Sequence, residues 1–391
     1  MKHNKIGIFV LIYLSVILIL TIFSYSQIDL NLTLSSNPIY QSFQKQLIYL
    51  GYFNRPLSAL IYLLLIFLFF IFYFLFLQLV IWKKLSKSNI IWLIILSCSI
   101  LFFSYPAFSH DLFNYIFDAR IVTKYHLNPY LYKALDFPDD SWIRFMHWTH
   151  RTYPYGPVWL LMTIPPSILG LGKFVLTLLN FKFIFALFHL GNIYLIYRIM
   201  NKLDPQNTHY SVAFYAFNPL IMIESLVSPH NEVMMLFFLL LSIYIGIIKK
   251  KIIPGIVSLL ISVGIKFVTI ILLPIFFLPQ IFQKAQKFNL LIGIVFFLLF
   301  IPIILEIIYR EPYPWYLILL IGVGSLAGHH GKIKVLLTGA SFGALLRYFP
   351  YLYYGSYSTI TTTHQAWLFI GPVALAVVWL MFGYRRRLRK S

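Results

Sequence analysis

The sequence predicts an all-α polytopic membrane protein, and three observations carry that prediction. Sixty per cent of the 391 residues are hydrophobic, only 11% are charged, and the apolar residues fall in long runs. Those runs approach the ~20 residues that a helix needs to cross a bilayer. Soluble domains carry about a quarter charged residues, so this chain cannot build a water-exposed surface and a soluble globular enzyme is excluded. The single cysteine, Cys98, lies inside an apolar run, which excludes disulfides and cysteine-based metal sites. A formal charge of +20 would suggest nucleic acid in a soluble chain. Here the positions of the charges report topology instead, so the lipid bilayer is the expected partner and nucleic acid is not.

Nineteen of the 31 basic residues lie in short gaps between apolar runs: Lys2 and Lys5; Lys83, Lys84 and Lys87; Arg198 and Lys202; Lys249 to Lys251; Lys284 and Lys287; Lys332 and Lys334; and the tail from Arg385 to Lys390. The positive-inside rule puts these gaps, and both termini, in the cytoplasm of a multi-pass plasma-membrane protein. The first run, 6–24, contains the small-x-small triplet Ser24-Tyr25-Ser26. Its apolar core is nevertheless longer than the ~7–15 residues of a signal peptide, so it is read as a retained anchor. The later runs are 57–82, 90–107, 156–171, 173–199, 208–227, 231–248, 252–278, 289–308, 315–330, 335–348 and 364–384. Together they predict one transmembrane domain over 1–391, a bundle of about 11–13 helices, some short or broken.

Run 252–278 lies between two basic gaps and contains Lys266. A lone span there would leave a charge at mid-bilayer, at ~2.5–3.5 kcal/mol on insertion scales. Two half-helices meeting near Lys266, with the ammonium facing a cavity open to the outside, satisfy both flanks. A second irregularity is required between 156 and 227, with Pro165-Pro166 and Asn218-Pro219 as the candidate breaks.

The outer loop 108–154 is the least apolar stretch. It holds Asp111, Asp118, Asp136, Asp139 and Asp140 of the eleven acids, and His110, His126, His147 and His150 of the eleven histidines. Leu112, Phe113, Ile116, Phe117 and Ile121 recur at helical spacing. The spacing predicts a helix over 110–125 on the outer membrane surface, capped by Ser109 and stopped by Asn128-Pro129. Asp111 and Asp118 share a face about 10 Å apart by helical rise, too far for the carboxyl pair of a retaining glycosidase. Asp111 reads equally as a first-turn acid favoured by the helix dipole or as a general base at the membrane surface. Asp118 and Arg120 read as a surface pair unless a site uses them. His147-x2-His150 alone is a weak metal pattern, and no metal ligand is assigned. Tyr153-Pro154-Tyr155 fits an interfacial aromatic belt, and His230-Asn231-Glu232 a polar cap on the run that follows. Glu224, in an otherwise apolar segment, needs a partner or a cavity.

Taken in order, several motifs resemble those of the GT-C superfamily of integral-membrane glycosyltransferases. They are His110-Asp111-Leu112-Phe113-Asn114-Tyr115, Phe117-Asp118-Ala119-Arg120, Asn128-Pro129-Tyr130, Tyr153-Pro154-Tyr155-Gly156-Pro157, Asn218-Pro219-Leu220, Ser228-Pro229-His230-Asn231-Glu232, Lys266 before Pro274, and Tyr313-Pro314-Trp315-Tyr316. Within that superfamily they are most similar to bacterial polyprenol-phosphate-mannose-dependent mannosyltransferases. The resemblance spans roughly residues 90–320; Glu232 stands where relatives often have Asp, and Ala119 where they have Gly.

The resemblance implies a membrane glycosyltransferase that moves a sugar, mannose favoured, from a polyprenyl-phosphate donor to a glycan or glycolipid acceptor on the outer face. It implies an inverting displacement with Asp111 as general base. The leaving lipid phosphate needs cations, for which Lys266 is the first candidate and Arg120, Arg151, His230 and Arg347 follow. Asp118, Asn231, Glu232, Tyr153 and Tyr155 complete the expected binding set. No cofactor is assigned, and room is left for a divalent cation. The competing classes are a secondary transporter and another lipid-linked glycan protein such as a polymerase or ligase. A transporter places its charges near the midplane, whereas these acids lie at the interface.

Overall fold

Long apolar stretches become single helices where no charge or proline interrupts them. In a computed structural model, which describes residues 2–277, 285–327 and 331–388, the main helices are α1 (Lys2–Ser24), α2 (Pro38–Ile48), α3 (Arg55–Ile81), α4 (Lys87–Phe102), α5 (Asp111–Thr123), α6 (Pro157–Leu169), α7 (Phe174–Leu203), α8 (Thr208–Ala216), α9 (Pro219–Met222), α10 (Glu232–Ser242), α11 (Ile252–Ile265), α12 (Ala285–Tyr309), α13 (Leu317–Ser325), α14 (Lys332–Leu346), α15 (Tyr348–Tyr354) and α16 (Thr359–Leu388). The described residues contain no strand. The protein is an all-α multi-pass membrane protein. Five described helices are long and apolar enough to cross a bilayer, six if α8 and the segment from Pro219 count as one bent span. The other apolar helices have 10–17 residues, too short to span alone. Lys284 and the tail residues Arg389 and Lys390, expected in the cytoplasm, lie outside the described residues.

The two irregularities have local causes. At Lys266 the backbone is extended (φ −155°, ψ 132°), which ends α11, and a 3₁₀ stretch, Phe267–Phe277, follows. The half-helices expected around Lys266 are therefore present. Between 156 and 227 the break falls at Asn218-Pro219, where the chain bends by 55°. Asn218 Oδ1 accepts from the Leu220 and Ile221 amides and Pro219 occupies the first helical position, a start signal worth ~1 kcal/mol. Pro165 and Pro166 do not break α6, which continues to Leu169 before a turn through Leu171 and Gly172, both at positive φ.

Lys182, buried within α7, anchors the C-terminal end of α4. Its ammonium donates to Ser104 Oγ at 2.9 Å, to the Leu101 carbonyl at 3.3 Å, and to the Ser104 carbonyl. Helix ends leave carbonyls without intrahelical partners, and this cation satisfies those from which the 108–154 loop departs. That loop folds back over α5. Leu112, Phe113, Tyr115, Ile116, Phe117, Ala119 and Ile121 are all at most 1% exposed, so α5 is covered on nearly every side. This differs from the one-sided helix expected on a membrane surface. Phe113 packs on Phe145 of the loop and on Phe174 of α7, and Tyr115 on Trp159 of α6, so the loop and the neighbouring helices together supply the cover that lipid or water was expected to give. His126, in the left-handed region (φ 57°), closes α5 two residues before Asn128-Pro129.

Candidate active site

Two loops are stitched together where α4 ends. The Phe108 amide donates to Ser228 Oγ at 2.9 Å, and Ser109 Oγ lies 3.1 Å from His230 Nε2. The Asp111 amide donates to Ser109 Oγ at 3.3 Å. Asp111 thus opens α5 where unpaired amides favour a carboxylate. Its Oδ2 lies 3.7 Å from His230 Nε2, and His230 Nδ1 forms an ion pair with Glu224 Oε2 at 3.0 Å. Tyr348 donates to the other Glu224 oxygen at 2.9 Å, so the isolated acid of the apolar segment has two partners. The His230 ring lies parallel to Trp315 at 4.1 Å, and Trp315 parallel to Tyr313 at 4.5 Å. Burial opposes a charge on His230, but Glu224 outweighs it, with Asp111 adding, and the ring holds its proton above the usual imidazole range.

A cavity of about 1330 Å³ opens in front of Asp111. Among the predicted residues, Asp111, Asp118, Arg151, Tyr155, Lys266 and Arg347 line it. Lys266 Nζ lies 2.5 Å from Glu232 Oε1 and faces the rings of Tyr155 and Tyr316 at 5.9 and 5.5 Å. Arg347 pairs with Glu311 and covers the Tyr313 ring at 5.1 Å. Arg310, also on the wall, pairs with Glu306 at 3.3 Å. Arg151 stacks on Trp148 at 4.1 Å and has no carboxylate partner among the described residues. Of the cavity's lysine and arginine side chains it is the one left available to an incoming anion. Asp118, also on the lining, is buried. Burial, with the charge of Asp111 adding, raises its carboxyl from 3.8 to about 8, so the group is mostly neutral at pH 7.

Five expected contacts stand elsewhere. Arg120 is turned from the cavity: its Nε donates to Asp140 Oδ2 at 2.7 Å, and its guanidinium stacks 3.7 Å from the Trp142 ring centre. Lys124 and Tyr125 donate to the same oxygen, so Arg120 pins α5 to its covering loop and is not paired with Asp118. Tyr153 is buried and donates to the Gly156 carbonyl. Asn231 is fully buried behind the wall, with both side-chain polar atoms unpaired. His230 and Glu232 do not line the cavity either, but reach it through Asp111 and Lys266. The structure also brings in residues not predicted from the sequence, Glu311, Arg310 and Asp29. Asp29 is the lone acid of the gap 25–55, a signal that was readable.

Residues 19–281, about two thirds of the chain, match the family model described as the N-terminal domain of alpha-(1→6)-mannopyranosyltransferases. The chain belongs to this family. It is therefore a membrane glycosyltransferase, and the reaction is mannosyl transfer. The matched stretch of the mannosyltransferase contains Asp111, Asp118, His230, Glu232 and Lys266. The Tyr313–Tyr316 and Arg347 wall lies beyond it. No curated protein and no solved structure matches the chain.

Proposed function

We propose that the enzyme transfers mannose from a polyprenyl-phosphate donor to a hydroxyl of a glycan or glycolipid on the outer face of the plasma membrane, with both termini in the cytoplasm. The family description names an alpha-(1→6) product, so the acceptor presents a 6-hydroxyl. A lipid-borne donor accounts for a site carried at the ends of membrane helices: the prenyl tail stays in hydrocarbon while sugar and phosphate enter the cavity.

The step is a single inverting displacement. The acceptor oxygen attacks the anomeric carbon as Asp111 takes its proton. The bond from that carbon to the phosphate oxygen breaks, and the lipid phosphate leaves with the electron pair. His230, fixed by Glu224 and stacked on Trp315, orients Asp111. Lys266 and Arg151 meet the charge developing on the phosphate, where preorganised cations act most strongly. Arg offers it a two-pronged contact. The observation that carries this reading is that one cavity is lined by both the Asp111 carboxylate and the Lys266 ammonium.

In vesicles supplied with polyprenyl-phosphate mannose, release of lipid phosphate reports turnover. Asp111→Asn should remain inserted and lose ~10²–10⁴-fold in rate, the usual worth of a positioned base. Turnover at the wild-type rate would remove Asp111 from the mechanism. Lys266→Met is expected to weaken donor binding; an unchanged donor affinity transfers its role to Arg151.

A further inference from the structure

Beside Asp111, three side chains from separate segments meet at the cavity rim. Asp29 follows the anchor helix α1, His110 immediately precedes Asp111, and His147 comes from the loop covering α5. Asp29 Oδ2 lies 3.3 Å from His110 Nε2 and 3.4 Å from His147 Nε2, and all three atoms lie within 4.8 Å of one another. The two imidazoles stack at 3.5 Å with their Nε2 atoms beside one carboxylate oxygen, and the exposed His147 ring must turn out of the stack to share an ion with His110. The other oxygen of Asp29 is already engaged by the Tyr52 hydroxyl at 3.0 Å. His110 Nε2 is buried and forms no hydrogen bond despite its nearness to Asp29. Both histidines line the cavity.

We propose that Asp29, His110 and His147 form a site for a divalent metal of the zinc class, with its fourth position open to the substrate cavity. A tetrahedral zinc centre with bonds of ~2.0–2.1 Å has ligand–ligand edges of about 3.3 Å, which the two nitrogen–oxygen separations match. Two imidazoles and a carboxylate are the donors of a catalytic-type site that keeps one position free, and imidazole selects zinc over magnesium or calcium. Tyr52 orients the ligating carboxylate as an outer-sphere partner does. The Arg144 guanidinium, donating to the Asn31 carbonyl at 3.1 Å, holds the loop of His147 against that of Asp29. An ion here adds a positive charge to the wall that also carries Asp111 and Arg151. Its use on the donor phosphate rests on the proposed function, whereas its binding does not.

The test is zinc content and affinity of the full-length protein in detergent, stripped with chelator and measured without donor, with cobalt(II) absorption reporting coordination. The wild type should take one equivalent of Zn²⁺ per chain, and cobalt should give the intense visible bands of a four-coordinate centre. His147→Gln and Asp29→Asn should each weaken binding about tenfold or more, while His150→Gln, in the same loop, binds as the wild type does. A wild type that takes up no stoichiometric zinc overturns the site without any variant. So do His147→Gln and Asp29→Asn chains that bind zinc as tightly as the wild type. Failure of the donor reading would leave this titration unchanged, so the two outcomes are separable.

Discussion

Asp118 shows how one buried carboxyl can make the enzyme sensitive to pH. In the folded chain it holds its proton to about 8, against 3.8 ordinarily. Between those values the unfolded chain has released a proton that the folded chain keeps, so rising pH favours unfolding across that window. The contribution is neutral below about 4 and reaches its full destabilising value above about 8. Asp118→Asn copies the protonated form and should remove this part of the pH dependence. Its melting temperature in detergent should exceed that of the wild type increasingly from pH 5 to pH 8. Parallel curves over that range would refute the assignment. The chain itself revealed Asp118 only as an acid seven residues after Asp111. Its burial depends on the loop that folds over α5, which helical spacing does not report. The partner of Arg120 was hidden for the same reason, because Asp140 sits twenty residues away on that loop.

At the scale of elements, the meeting of α6 with the end of α11 positions the cation. The Gly156 amide donates to the Ile265 carbonyl at 3.0 Å, one residue before Lys266. A Cβ on Gly156 would lie 2.1 Å from the Gly264 carbonyl oxygen, closer than non-bonded atoms approach. Gly156→Ala must push the two segments apart, at a cost of about 1–3 kcal/mol typical of overpacking. It should also shift Tyr155 relative to Lys266, lowering both thermal stability and donor affinity. A variant with wild-type values of both would show that the contact does not position the site. The break at Lys266 was legible in the sequence because a charge inside an apolar run has few alternatives. The break at Asn218 was legible only as one of two. Both Pro165-Pro166 and Asn218-Pro219 carry helix-breaking residues, and it is the Asn218 cap hydrogen bonds that distinguish them.

For the whole molecule, the charge distribution and the cavity make a joint prediction about sidedness. In our reading the chain is a single transmembrane unit whose loop 108–154 faces outward while its basic gaps face inward. Cys98 is buried and is the single cysteine of the sequence, so a Cys98→Ser background allows single-cysteine mapping. Asp139→Cys should react with an impermeant maleimide on intact cells, and Lys249→Cys only after permeabilisation. The reverse pattern would invert the topology and move the cavity to the cytoplasmic side. The transporter alternative receives no support from the family match, since the matched family transfers mannose.

Composition by itself determined the solvent of this protein, because so few charges cannot cover a water-exposed surface. The charge of Lys266 within an apolar run determined one helix break, and two proline-bearing pairs narrowed the other to two candidates. The order of its polar motifs was enough to identify the family. The tertiary structure alone decided which polar groups face one another: Asp111 with His230 and Glu224, Lys266 with Glu232, and Asp29 with two histidines from a distant loop. Those partners are separated by up to 119 residues and share no periodicity. Only packing of the loops on the helix ends brings them within ion-pair reach.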